Sequence, residues 1–201
     1  DKTEYSYLKK EGPLINNLLI KNLGFNENNI NFNNISDEKI NFLADSIEVN
    51  LGNRRVLIKN IGIAHTKGDL IAYDFNTNTY ITGDVIFIGR AAAFSDANIP
   101  MWINVINNKL DLSWDYLIPG HGSIINNKLE LNDTKNWLYF LDNAVKQAIS
   151  EGDMISEIFQ YPIPKEIHHL KMKSITLRQG IKKQLNLYRK KSVSYTHLRA
   201  H

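Results

Sequence analysis

The alternation of apolar and polar residues predicts that β-strands begin near Asp45. Apolar side chains alternate with polar ones over residues 46–51, a Gly-Asn turn follows, and residues 54–63 form the returning strand of a hairpin. A second hairpin is predicted from residues 70–75 and 79–82, and it is followed by the short apolar run 85–88. Because the chain reverses at each turn, the strands that precede His65 and Asp84 are expected to end at the same edge of the sheet.

Apolar residues recur at helical intervals on both sides of this strand region. The predicted helices are residues 4–25, 98–110, 133–150 and 166–190, and an asparagine-rich stretch over residues 26–39 is expected to be a loop. The helix at 98–110 leads to a strand at 114–118, which is the connection expected between parallel strands and would return His121 to the edge that carries His65 and Asp84. The adjacent residues His168 and His169 are expected at a solvated helix start.

A chain of 201 residues, 43% of them hydrophobic, is long enough for one sizeable core and is interpreted as a single domain over residues 1–191. Residues 45–125 would supply the sheet and its loops, and residues 132–191 the C-terminal helices. The tail 192–201 departs from the lysine- and asparagine-rich style of the rest and is predicted to be non-native. Two of the six histidines, His197 and His201, lie in this tail and are therefore excluded as ligands.

Charge and composition exclude several classes of partner. The net charge is +3 and the basic residues are scattered, so the sequence lacks the basic stripe that nucleic-acid binding requires. The absence of cysteine excludes thiolate chemistry but is compatible with either the periplasm or the cytoplasm. No apolar stretch reaches the roughly 20 residues of a membrane span. The chain begins at Asp1 without methionine, and its true N-terminus is expected to be missing.

Two imidazoles and a carboxylate at one sheet edge are typical of a catalytic metal site, with zinc, iron or manganese as the candidate ions. Gly83, beside Asp84, and Gly120 and Gly122, on either side of His121, would allow tight turns that present these side chains. Asp69, as a hydrogen-bond acceptor, and Thr66 could each help to fix a ligand or the loop, or could simply cap a strand or turn. Arg90 could hold substrate, pair with an acid or lie on the surface.

Three motifs carry a resemblance to a known family. They are Ala64-His65-Thr66-Lys67-Gly68-Asp69, Thr82-Gly83-Asp84 and Pro119-Gly120-His121-Gly122. In this order they resemble the last three metal-ligand motifs of the metallo-β-lactamase fold hydrolases. The similarity extends over residues 47–188, and the branch that it most resembles is that of the quinoprotein relay system zinc metallohydrolases. The resemblance implies an α/β (α+β) fold, the four-layer αββα sandwich, which would be truncated here at its N-terminal side.

The resemblance also implies a dinuclear zinc site that acts on a small-molecule substrate. His65 would bind the first metal, His121 the second, and Asp84 would bridge both, while a metal-bound hydroxide attacks an ester, thioester, lactone or amide-type group. The family's first motif, His-x-His-x-Asp-His, does not occur in this chain. Two hypotheses follow: the chain is the C-terminal part of a metal-dependent hydrolase and inactive by itself, or it is a ligand-depleted scaffold with a binding or accessory role.

Overall fold

The computed structural model of the chain describes residues 43–94, 96–110 and 113–198, with side chains described up to Tyr188. The predicted helix over residues 4–25 and the predicted loop over residues 26–39 lie outside this part of the chain.

The described strands form one mixed sheet in the order β1-β2-β3-β4-β5. Their bounds are Ser46–Asn50 (β1), Arg55–Gly62 (β2), Asp69–Asp74 (β3), Thr79–Phe87 (β4) and Tyr116–His121 (β5). The first four strands pair antiparallel in sequence order, and β5 runs parallel to β4. Both predicted hairpins and the predicted parallel return are therefore confirmed. The strand predicted at 79–82 and the apolar run 85–88 prove to be one strand, β4, whose pairing with β5 shifts register beside Gly83.

Four α-helices are described: Ile99–Asn108 (α1), Asn132–Glu151 (α2), Ile155–Ile158 (α3) and Lys173–Leu198 (α4). Helix α1 is the crossover between the parallel strands, and the side chain of Asn98 caps it by accepting the Met101 N–H at 3.2 Å. Helix α2 ends at Gly152, whose φ of 80° is the left-handed conformation that commonly terminates helices. These two helices confirm the predictions for residues 98–110 and 133–150.

The prediction of a helix over residues 166–190 is wrong at its start. Residues Lys165–Ile167 form a short 3-10 turn, and Met172 adopts a left-handed φ of 64°, so α4 begins only at Lys173. Left-handed backbone at a non-glycine residue interrupts a helix. At the other end α4 continues to Leu198, into the tail that was predicted to lie outside the fold.

The two faces of the sheet differ in their packing. The face toward the helices carries buried side chains, among them Leu117, Ile71 and Tyr80. They belong to the same core as Trp102 of α1 and Trp137 of α2. On the opposite face, large apolar side chains are 42–50% exposed, namely Ile47, Leu70, Ile81 and Tyr116. The mixed sheet with its helices confirms the predicted α/β architecture. Of the two sheets in the predicted αββα sandwich, the described residues supply one. None of the described helices combines the length and the apolar composition that crossing a membrane requires.

Candidate metal centre

The three residues singled out in the sequence lie together at one edge of the sheet, with Asp84 in the middle. Nδ1 of His65 is 3.9 Å from Oδ2 of Asp84, and Nε2 of His121 is 3.5 Å from Oδ1 of the same carboxylate. His65 follows the end of β2, Asp84 lies within β4, and His121 ends β5. The antiparallel and parallel pairings of these strands bring the three side chains to one place.

The loop that carries His65 is held by the carboxylate of Asp69. One oxygen of this carboxylate accepts the backbone N–H groups of Ala64 (3.1 Å) and Thr66 (2.9 Å), and the other accepts the Thr66 hydroxyl (2.9 Å). The Gly68 N–H donates to the same threonine oxygen at 3.3 Å. Asp69 therefore fixes the backbone on both sides of His65, at Ala64 and at Thr66.

His65 is surrounded by aromatic side chains and is only 8% exposed. Its ring meets Trp102 edge-on at a centroid distance of 5.2 Å and lies 5.7 Å from Phe87. Its Nδ1 is buried and has no hydrogen-bond partner. Burial lowers the pKa of His65, against the opposing charge of Asp84, because a protonated imidazole is poorly solvated there. The neutral ring is thus favoured, which is the form that binds metals.

His121 occupies a more open position at the end of β5. Its ring stacks on Phe87 at a centroid distance of 4.9 Å, and its side chain is 42% exposed. A Cβ at Gly120 would overlap the carboxylate of Asp84, and a Cβ at Gly122 would overlap the carbonyl of Ile88. The glycines beside His121 therefore allow a close approach of β5 to β4, whereas Gly83 has open space around it and a φ of +51°.

Arg90 lies against His121. Its Nη1 is 3.5 Å from Nδ1 of that ring, and its buried Nε has no hydrogen-bond partner. The backbone around it is fixed by Lys171, which accepts the Ala91 N–H at 2.9 Å and donates to the Gly89 carbonyl at 3.1 Å. The sequence left three roles open for Arg90, and the structure places its guanidinium beside a predicted metal ligand.

Two contacts of Asp133 near this edge were missed by sequence reasoning. Asp133, in the first turn of α2, accepts the Gly89 N–H at 2.7 Å and lies 2.8 Å from Nε2 of His169. The prediction that His168 and His169 begin a helix is wrong, because they precede α4, and His169 instead links the loop before α4 to α2. An acidic residue at the start of a helix was the available signal, but such residues usually cap their own helix.

The donor set fits a divalent metal in its chemistry but falls short in number. A buried, unpaired imidazole nitrogen that faces a carboxylate is the kind of polar atom that a metal would satisfy. Among the described residues, however, no group of three or more histidine, cysteine, aspartate or glutamate side chains is arranged to hold a metal ion. Each histidine approaches Asp84 separately, so these residues alone make an incomplete site.

Comparison with known proteins identifies the fold. No protein-family model and no curated protein matches the sequence. Among solved structures, an inverting sec-alkylsulfatase from a Pseudomonas species matches with a TM-score of 0.58 and 16% identity, over 72% of this chain and 26% of that one. A metallo-β-lactamase from Pontibacter korlensis matches over 48% of this chain and 47% of its own, with 17% identity and a TM-score of 0.41.

The chain thus spans about half the length of the metallo-β-lactamase and about a quarter of the alkylsulfatase. At 16% sequence identity, the match with the alkylsulfatase shows a shared fold alone. The strand order, the crossover helix α1 and the edge that carries His65, Asp84 and His121 are consistent with it. The chain therefore shares the fold of the alkylsulfatase, which is the metallo-β-lactamase fold.

Proposed function

We propose that this chain is part of a metal-dependent hydrolase acting on a small molecule with an ester, thioester, lactone or amide-type group. The observation that carries the proposal is the buried, unpaired Nδ1 of His65, which faces Asp84 across 3.9 Å. Leaving such a nitrogen without a partner in a folded protein is costly. A role as metal ligand gives a physical reason for its position.

Each of the three residues has a distinct part in the proposed site. His65 offers a buried nitrogen from a loop held by hydrogen bonds to Asp69, and His121 offers a second nitrogen from the exposed end of β5. Asp84 has one oxygen toward each ring and would contact both ions of a dinuclear site. Zinc is the proposed metal, with iron or manganese as alternatives, and it would supply Lewis-acid chemistry and activate water. The donors still required would come from residues other than these three.

A second candidate is a scaffold that binds a partner without catalysis. It is favoured by one observation, that the described residues bring together no three-donor group able to hold a metal. Against it, Gly120 lets β5 approach the Asp84 carboxylate more closely than any residue with a Cβ could, and a scaffold without a metal site has no evident need for this.

Hydrolysis assays in the presence of added zinc separate the two candidates. Nitrocefin, a thioester and a lactone would be tested with this chain and with any longer product of its coding sequence, with and without a chelator. The hydrolase predicts activity in the product that carries the full ligand set, lost with chelator and with Asp84→Asn but kept in Asp115→Asn. Activity that survives complete metal removal contradicts the proposal, and inactivity of every product with every metal favours the scaffold.

A further inference from the structure

A pocket of about 330 Å³ lies beside the loop that carries His65. Ile63 and Lys67, two residues before and two residues after His65, both line it. Helix α4 contributes Lys183 and Asn186, and the segment before α1 contributes Asn98, among others. The backbone N–H of Asn98 donates to the carbonyl of Ala64 at 2.9 Å, so the wall of the pocket and the His65 loop are directly joined.

The charged groups that line this pocket carry a net positive charge. Lys67 and Lys183 contribute two ammonium groups, and Asp96 contributes one carboxylate. Both lysines have interactions within the protein, but an ammonium group has three donor protons and can bind a ligand alongside an existing partner. The pocket therefore offers donors from two separate elements, the His65 loop and α4.

Carboxamide groups add neutral donors to the same pocket. The side-chain oxygen of Asn98 accepts the Met101 N–H at 3.2 Å, so its amide NH₂ is the end that can donate to a ligand. Asn186, exposed on α4, supplies a second carboxamide. Ammonium and amide donors around a small cavity suit the oxygens of a carboxylate, phosphate or sulfate group.

The pocket adjoins the loop that carries His65, since Ile63 and Lys67 of its lining lie on either side of His65 in the chain and Asn98 is hydrogen-bonded to Ala64. A volume of about 330 Å³ is at the small end of the range for ligand pockets. It is therefore suited to one functional group of a substrate rather than to a large molecule.

We propose that this pocket, lined by Lys67, Lys183 and Asn98, binds an anionic group of the substrate while the scissile bond lies at the edge formed by His65, Asp84 and His121. The substrate class is then a small molecule with a carboxylate, phosphate or sulfate group. The inference rests on the proposed function only in assigning the anion to a hydrolase substrate, since anion binding by the pocket requires no metal.

The test is a titration of the 201-residue chain with inorganic phosphate, and in parallel with acetate, in the presence of a chelator. Amide signals of Lys67 and Asn98 in ¹H–¹⁵N NMR spectra are expected to shift in a saturable manner with at least one of the two anions. Lys67→Met and Lys183→Met are each expected to weaken binding about tenfold, the effect of removing one charge-assisted hydrogen bond. Thermal unfolding of each variant verifies that it is folded.

Lys182→Met is the matched control. Lys182 is the neighbour of Lys183 on the same helix but lines a different groove, with Phe159 and Leu185, so its loss should change the affinity less than about twofold. Absence of saturable binding with both anions, or equal weakening by all three substitutions, overturns the proposal. Because chelator is present, this titration does not depend on a metal site. If no product of the coding sequence shows metal-dependent hydrolysis but the anion still binds, the hydrolase proposal fails and the anion pocket stands.

Discussion

His65 and His121 are placed on opposite sides of Asp84 in very different surroundings. The side chain of His65 is 10% exposed and that of His121 is 42% exposed. Three hydrogen bonds to Asp69 hold the loop of His65, whereas His121 ends a strand and has the guanidinium of Arg90 beside its ring. Phe87 contacts both rings, so the two histidines share an aromatic neighbour as well as Asp84 but differ in exposure and in the contacts that hold them.

This difference indicates how the site is built. His65 is preorganised, because burial and the Asp69 loop leave its ring little freedom, and a preorganised ligand loses little entropy on binding. His121 can adjust, because solvent reaches it and its contact with Arg90 is at the long limit of a hydrogen bond. We call His65 and its loop the buried arm of the site, and His121 at the end of β5 the exposed arm. The buried arm should be sensitive to changes in its loop, and the exposed arm to changes in the approach of β5 to β4.

The largest effect is expected from Gly120→Ala. The new Cβ would overlap the Asp84 carboxylate and the backbone of Gly83, so β5 must move away from β4. We expect a loss of about 3 kcal/mol in the free energy of unfolding, measured by chemical denaturation. Gly52→Ala is the control: Gly52 has a φ of +88° but open space around it, so only about 1 kcal/mol should be lost. Equal losses would contradict the close approach of the strands.

Asp69→Ala should produce the next largest effect, on the buried arm. It leaves the N–H groups of Ala64 and Thr66 and the Thr66 hydroxyl without their acceptor. Unfolding free energy should fall by about 2 kcal/mol, because unpaired buried donors are costly. Asp115→Ala, at an exposed position, should change it by less than about 0.5 kcal/mol. If both variants were equally stable, Asp69 would not be holding the loop.

Much of this arrangement could be predicted from the sequence, because the strands and turns that produce it are encoded by residues close together in the chain. The apolar runs before His65 and His121, the run that leads to Asp84, and the turns between the strands are encoded in neighbouring residues, so the convergence of the three side chains follows from counting strand reversals. The contacts of Arg90 with His121 and of His169 with Asp133 join residues far apart in the chain. They depend on how loops pack on helices, and no local pattern encodes them.

The start of α4 shows the same limit. Its apolar pattern continues smoothly back to Glu166, but the chain turns at Met172 with a left-handed backbone. A methionine has no intrinsic preference for that conformation. The neighbouring residue Lys171 is hydrogen-bonded to Gly89 and Ala91, and such contacts between distant parts of the chain cannot be read from the sequence.

Arg90→Met should produce the smallest effect. The contact with His121 spans 3.5 Å, so its loss should cost less than about 1 kcal/mol of stability. The ring ¹⁵N shifts of His121 should change, because a donor beside Nδ1 influences which nitrogen carries the proton. The ring shifts of His65 in the same spectrum serve as the internal control. Changes confined to His65 would contradict the assignment of Arg90 to the exposed arm.

The central claim, that His65, Asp84 and His121 belong to one metal site, is tested most directly by titrating the 201-residue chain with Zn²⁺ and following the ring ¹⁵N signals of both histidines. We expect saturable binding weaker than nanomolar, because the described residues offer too few donors, and we expect both rings to shift together. Asp84→Asn should abolish that joint response, and Asp115→Asn should leave it intact. Binding that Asp84→Asn leaves unchanged, or a tight stoichiometric nanomolar site, would contradict these expectations.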